Sequence, residues 1–140
     1  MEMVRAAVLS GHAGSVYALA CNGTSTVFSG GGDRIVAEWD LNDPNEGHLL
    51  AKVNDIVYSI LPLPDQRILI GQASGGIHVI HLGSRKEERL LQYHKSGVFR
   101  MAHAPQNGLL VSLSGDGEMA ILDDHELAIE RILNLGGGVS

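Results

Sequence analysis

The feature that most constrains this chain is a short motif that returns at a fixed interval. The pair Val16-Tyr17 recurs 41 residues later as Val57-Tyr58, and after another 41 residues as Val98-Phe99. Two further apolar runs keep nearly the same spacing, at 27–28, 68–70 and 109–111 and at 35–39, 77–81 and 118–122. Units of this length, each with several short apolar runs, predict an array of stacked repeats.

The first unit, residues 11–41, carries the clearest signature. It opens with Gly11-His12 and closes with Trp39-Asp40, and turn residues at 22–23 and 30–33 separate its three apolar runs. Short runs between such turns predict strands in a meander. The stretch resembles one repeat of the WD-repeat β-propeller family, in which a GH…WD signature recurs roughly every 40–45 residues.

The resemblance implies an all-β fold of about three four-stranded antiparallel WD-repeat blades in an incomplete ring. Residues 1–135 would form the partial propeller, with blades at about 14–53, 55–94 and 96–135. Outer strands are expected at 48–53, 89–93 and 127–135, and 3–9 would be the outer strand of a preceding blade. Apolar spacing at 127–135 also fits a short helix, but the repeat favours a strand. The glycine-rich end, 136–140, is expected to be a flexible tail.

Composition narrows the classes of partner and compartment. The chain has 140 residues and a formal net charge of −6, and its basic residues are scattered apart from Arg85-Lys86 and Arg89. Because duplex-binding proteins present a basic patch, we expect no nucleic-acid partner. No apolar stretch is long enough to span a bilayer, and the start lacks a signal peptide, so the expected location is cytoplasmic, with no membrane partner. The single cysteine, Cys21, rules out an intramolecular disulfide.

The family resemblance also implies a buried hydrogen-bonded set in each blade. The first repeat matches it with His12, Ser29, Asp33 and Trp39, where the histidine would donate to the hydroxyl and the hydroxyl to the indole side. The third repeat matches with His94, Ser112 and Asp116, and Leu122 replaces the tryptophan. The second repeat has other residues at these places, Val53, Ile70, Ser74 and Ile80, so apolar packing alone should hold its blade.

The sequence disfavours three kinds of chemical site. A Ser, His and Asp set also occurs in nucleophilic catalysis, but here it recurs in two repeats at structural positions, which favours a structural network. The histidines lack metal-ligand spacing, since His78 and His81 fall on opposite faces of a strand. Glycine runs that precede strands, not helices, serve turns and not phosphate binding. We therefore predict no metal and no cofactor.

The recurring aromatic position is the main candidate for binding. Tyr17, Tyr58 and Phe99 occupy it in the three repeats, on the first and innermost strand of each blade. One interpretation, favoured on general grounds, is packing between adjacent blades; the other is a row of binding anchors on one rim, which Arg34 would share.

The leading functional hypothesis is a non-catalytic scaffold that binds a protein or peptide through the propeller rim. The alternative is a propeller enzyme or small-ligand binder that acts in the central channel. Propellers close with typically 4–8 blades, so three repeats do not complete a standard ring. We therefore expect self-assembly or completion by a further propeller segment, because an open arc would expose two apolar faces.

Overall fold

Residues 13–136 are described by the computed structural model, apart from the side chains of 44–46. They form twelve strands and one short 3₁₀ helix, Pro105–Asn107. The first sheet, blade 1, contains β1 (Val16–Asn22), β2 (Thr26–Gly31), β3 (Ile35–Asp40) and β4 (Asp43–Lys52). Blade 2 contains β5 (Val57–Pro62), β6 (Arg67–Gln72), β7 (Ile77–His81) and β8 (Lys86–Leu91). Blade 3 contains β9 (Val98–Ala104), β10 (Leu109–Ser114), β11 (Glu118–Asp123) and β12 (Ile129–Asn134).

Each blade is an antiparallel meander of four strands in sequence order. This architecture confirms the predicted all-β class of four-stranded blades, and the last segment is a strand, not a helix. Short segments with turn residues between them pair with their nearest neighbours in sequence, which gives a meander. Within the described range, no helix is long and apolar enough to cross a membrane.

Two outer strands begin earlier than predicted. The turn between β3 and β4 takes only Leu41 and Asn42, and β4 already begins at Asp43, in a segment whose composition indicates a loop. In blade 2, β8 occupies 86–91 instead of 89–93, because His81 Nδ1 accepts the N–H groups of Gly83 and Ser84 and tightens the turn. The predicted strand at 3–9, His12 and residues 137–140 lie outside the described residues.

The hydrophobic core consists of two layers, one between each pair of neighbouring blades. Between blades 1 and 2, fully buried side chains such as Phe28, Val57 and Ile68 form one cluster. Between blades 2 and 3, Leu69, Val98 and Leu122 belong to the second. A four-stranded sheet is marginal by itself, so the blades stabilise one another by burying these faces.

Glycine permits a close contact between neighbouring blades in both layers. A Cβ atom at Gly30 would lie 2.7 Å from Val57 Cγ1, and one at Gly71 would lie 2.9 Å from Val98 Cγ1. Such distances are well inside normal van der Waals contact, so only glycine lets the valine of the following blade approach this far. Gly30 and Gly71 are equivalent, because each pairs with the residue two positions after the first valine of its blade.

Two arginine side chains of blade 2 form hydrogen bonds with a loop of blade 3. The Arg67 guanidinium donates to the backbone carbonyls of Asp124 and His125, the latter at 2.9 Å, and to the carboxylate of Asp65 at 2.7 Å. The bond from Arg67 lowers the pKa of Asp65. Nearby, Arg89 donates to the carbonyl of Glu126. These arginines therefore fix the loop 124–126 of blade 3 onto blade 2.

We predict that Gly30→Ala lowers the free energy of unfolding by about 1–3 kcal/mol, because the added methyl group overpacks the layer against Val57. Gly32→Ala is the matched control, since the nearest atom to a Cβ there lies 3.7 Å away. Urea unfolding measures both values. Equal losses for the two variants would contradict the close contact at Gly30.

Candidate partner-binding site

The three recurring aromatics occupy one structural position, a β-bulge in the first strand of each blade. In β1 the pairing passes from Val16 opposite Gly31 to Ala18 opposite Gly30, which leaves Tyr17 without a partner position. The same shift leaves Tyr58 unpaired in β5 and Phe99 unpaired in β9. An extra residue in a bulge bends the strand and redirects its side chain. The bulges therefore direct three aromatic side chains away from the regular alternation of the sheets.

The rings form a continuous row across the three blades. Tyr17 and Tyr58 meet edge to face with ring centroids 5.6 Å apart, and Tyr58 stacks on Phe99 with centroids 4.7 Å apart and planes inclined by 21°. Tyr17 and Phe99 remain 56% and 48% exposed, whereas Tyr58 between them is half-buried. The rings therefore pack on one another across the blades and also present an exposed surface, and a binding role for that surface stays a prediction.

A shallow groove runs along this row and has a volume of about 250 Å³. Besides the three rings, its lining includes Leu19, Met101 and Arg100. The Arg100 side chain is exposed and makes no hydrogen bond or ion pair with another described residue. The groove thus combines aromatic faces with one available guanidinium, and no carboxylate or histidine lines it.

Arg34 lies in the turn between β2 and β3 and not in the lining of the groove. It is exposed and adopts a left-handed conformation with φ of 64°, and its carbonyl accepts the Val53 N–H at 2.9 Å. The same turn is bonded to the segment that precedes β1 through Gly32 N–H and the Ser15 carbonyl, 2.8 Å. Arg34 is therefore on the edge where β1 begins, but the structure does not place it with the three rings.

In blade 1, the indole and the hydroxyl are bonded in the opposite sense to the expected one. Trp39 Nε1–H donates to Ser29 Oγ at 2.8 Å, because an indole nitrogen is only a donor. Asp33 accepts the N–H of Ala13 at 3.0 Å and that of Ile35 at 3.3 Å, so it closes the turn before β3. Whether His12 joins this set remains a prediction.

In blade 3, the histidine and the serine are bonded, but the aspartate is not part of the pair. His94 Nε2 lies 2.7 Å from Ser112 Oγ, whereas Asp116 accepts the Ser114 hydroxyl and the Glu118 N–H. His94 Nδ1 is buried without a hydrogen-bond partner, 3.6 Å from Glu118 Oε1. Burial lowers the pKa of His94, although the carboxylates of Glu118 and Asp116 act against it.

Blade 2 is not held by apolar packing alone, which corrects the sequence-based expectation. His78 is buried and lies 2.9 Å from Gln72 Oε1 through Nε2, and its Nδ1 contacts the Glu87 carboxylate. Gln72 Nε2 also donates to Ser74 Oγ at 3.2 Å. Three of the four equivalent places in blade 2 are apolar, at Val53, Ile70 and Ile80, but a different polar set on the same sheet replaces the one seen in blade 3. Its members lie on separate strands, so only the strand register brings them together.

Comparison with known proteins now adds to this geometry. The family model described as "WD domain, G-beta repeat" matches residues 3–40. That segment is therefore similar to one WD repeat, and the three four-stranded blades fit part of a β-propeller. The computationally designed Ika8 and Ika4 proteins are similar solved structures, each with 23% identity and a TM-score of 0.72. The alignment covers 88% of this chain and 37% of Ika8, and 89% of this chain and 76% of Ika4. A comparison with curated protein sequences gives no significant match.

The chain therefore spans little more than a third of the length of Ika8. At this level of identity, the likeness supports the fold and not a shared binding activity. Among the described residues, no three His, Cys, Asp or Glu side chains converge in a way that could hold a metal ion.

We predict that Ser29→Ala lowers the free energy of unfolding by about 1–3 kcal/mol, because it leaves the buried Trp39 N–H without its acceptor. Ser84→Ala, in the exposed turn before β8, is the control and should change stability by less than about 0.5 kcal/mol. Urea unfolding distinguishes them. Similar values for both would show that the Ser29–Trp39 bond contributes nothing.

We predict that stability declines as the pH falls below 6.5, the ordinary pKa of histidine. Folding lowers the pKa of His94, so the unfolded chain takes up its proton at a higher pH than the folded chain does, and acid favours unfolding. Asp65, Asp116 and Asp123 also have lowered pKa values, but they start from 3.8 and act only in stronger acid.

Urea midpoints of the parent chain and of His94→Gln, measured from neutral pH down to pH about 5, test this assignment. The glutamine variant should show a weaker decline. An unchanged pH profile would mean that His94 is not responsible.

Proposed function

We propose that this WD-repeat chain is a non-catalytic scaffold that binds a protein or peptide partner through the aromatic row Tyr17, Tyr58 and Phe99. The observation that carries the proposal is the repeated bulge, which redirects the equivalent aromatic residue in all three blades. Bulges are found where a sheet redirects a side chain for a site. A purely structural aromatic would need no such redirection, and two of the three rings remain about half exposed.

The chemistry of the row also fits partner recognition. Aromatic residues and arginine are enriched in protein interfaces, because they combine a large contact area with polar or cationic edges. Here the rings adjoin Arg100, whose guanidinium is available for a carboxylate or a carbonyl of the partner. The groove is shallow and about 250 Å³ in volume, which suits a segment of a protein surface. Arg34 would extend the contact along the same edge.

The alternative, catalysis or small-ligand binding in the central channel, has less support. General acid–base catalysis needs titratable groups within hydrogen-bond reach of the reacting atoms. The groove lining offers Arg100 and the two tyrosines, but no carboxylate or histidine that could form an acid–base pair with them. The Ser112–His94 pair is buried, so a substrate would not reach it.

Completion of the ring is part of the same proposal. The two ends of the arc, blade 1 and blade 3, each have one sheet face that no other described blade covers. A further propeller segment or a second copy would bury those faces, as the blades inside the chain bury theirs. We propose the cytoplasm as the location, in keeping with the single exposed cysteine, Cys21.

We predict that replacing Tyr17, Tyr58 and Phe99 with alanine abolishes capture of the partner while the thermal midpoint stays within a few degrees. The partner is first identified by affinity capture and mass spectrometry with the parent chain, and its affinity is then measured by calorimetry. Loss of hot-spot aromatics typically costs about 2 kcal/mol or more each in binding.

The matched control replaces three exposed apolar residues away from the row, Leu41, Leu90 and Ile129, with alanine. Binding by this control should equal that of the parent chain. Equal binding by both triple variants would refute the site, and collapse of the Tyr17/Tyr58/Phe99 variant would show that the row is core.

A further inference from the structure

The face of blade 3 that no other described blade covers differs from the two equivalent faces of blades 1 and 2. We call the face with which a blade packs against the following blade its leading face. It contains Ala18, Phe28, Gly30 and Val36 in blade 1, and Ser59, Leu69, Gly71 and Ile77 in blade 2. The strand register places Arg100, Val111, Leu113 and Met119 at the same positions in blade 3.

The central position of this face is glycine in blades 1 and 2 and leucine in blade 3. Gly30 pairs with Ala18, Gly71 with Ser59, and Leu113 with Arg100, in each case directly after the aromatic bulge. At Gly30 and Gly71, the first valine of the following blade enters the space that a Cβ would occupy. We call this valine, Val57 or Val98, the entry residue of its blade, and both are fully buried.

A second copy of the chain would bring its own first blade, whose entry residue is Val16. Val16 is 38% exposed, whereas the equivalent Val57 and Val98 are fully buried. If the second copy packed as the internal blades do, the Val16 side chain would meet Leu113. At the equivalent glycines, even a single Cβ atom would lie only 2.7–2.9 Å from Cγ1 of the entry valine. Packed layers do not absorb an overlap of this size without displacing the sheets.

Arg100, which pairs with Leu113, is the second difference between blade 3 and the other two blades. Ala18 is buried in the first layer, and Ser59 donates through its hydroxyl to the Val98 carbonyl at 2.8 Å across the second layer. Arg100 takes this position in blade 3, where its side chain is exposed and makes no hydrogen bond or ion pair with any described residue. A blade that covers Arg100 must offer it an oxygen acceptor, because an unpaired buried guanidinium is strongly unfavourable.

We propose that the leading face of blade 3 binds a blade of different sequence, with glycine as its entry residue and a carboxylate opposite Arg100, and excludes a second copy of this chain. The apolar side chains Val111, Leu113 and Met119 supply the area to be buried, and Leu113 fills the space that the missing valine leaves. This inference rests on the proposed open arc and selects a further propeller blade over self-assembly.

Sedimentation of the full chain over the micromolar range tests the exclusion. The test variant carries the residues of blade 2 at both positions, Arg100→Ser with Leu113→Gly. The matched control carries Arg100→Ser with Leu113→Ala, which keeps the Cβ atom. We expect the parent and the control to remain monomeric and the test variant to at least double its weight-average mass.

Two results would overturn the proposal: assembly of the parent chain that these substitutions do not strengthen, and failure of a folded test variant to assemble. If the test variant does not fold, Gly71→Leu serves instead, since it should release blade 3 from blade 2 and remove hydrogen-exchange protection from 98–134 while blade 1 keeps its own. Retained protection in blade 3 would overturn the steric argument. Partner capture by the parent chain and by the Tyr17/Tyr58/Phe99 alanine variant, neither of which changes Arg100 or Leu113, reports separately on the proposed function.

Discussion

The contact between a valine of one blade and the glycine backbone of the blade before it determines how closely the blades stack. Val57 lies over Gly30 and Val98 over Gly71, each too close to leave room for a Cβ atom on the glycine. Because the valine immediately precedes the bulge residue in each first strand, this contact also sets the distance between neighbouring bulges. The rings of Tyr58 and Phe99 stack at 4.7 Å because their blades are held this close.

The proposed site therefore depends on the stacking of the blades and not on any single blade. Each blade contributes one ring, and a continuous surface exists only when all three are in place. The neighbouring glycines support this arrangement: Tyr58 lies against Gly97 of the following blade, and Phe99 lies against Gly115 of its own. The same repeat thus provides both the core layers and the surface on which we place partner binding.

The sequence predicts the fold well because its main signal, the 41-residue spacing, follows directly from strand length and turn length. The identity of the aromatic row could also be predicted, since the pair at Val16-Tyr17 repeats. The bulges could not, because a bulge is a shift in register between two strands and leaves no fixed residue pattern. This explains why burial and exposure of the rings stayed open as alternatives until the structure placed them.

The polar set of blade 2 could not be predicted from the sequence, for a related reason. Comparison with the first repeat pointed to Ile70 and Ile80, whereas the set uses Gln72, His78 and Glu87, which come together only across paired strands. The early start of β4 was missed because a segment rich in Asn, Asp, Pro and Gly indicates a loop, while tertiary pairing with β3 extends the strand. The sequence alone does not indicate a role for Leu113, because that role follows only from the glycines at the equivalent positions of blades 1 and 2.

Hydrogen exchange of the chain alone and in complex with its captured partner tests the central claim most directly. The account predicts that the complex slows exchange mainly at the three bulges, 16–18, 57–59 and 98–100, in one continuous surface across the blades. Slowed exchange confined to another surface, such as the outer strands β4, β8 and β12, with the bulges unchanged, would contradict it.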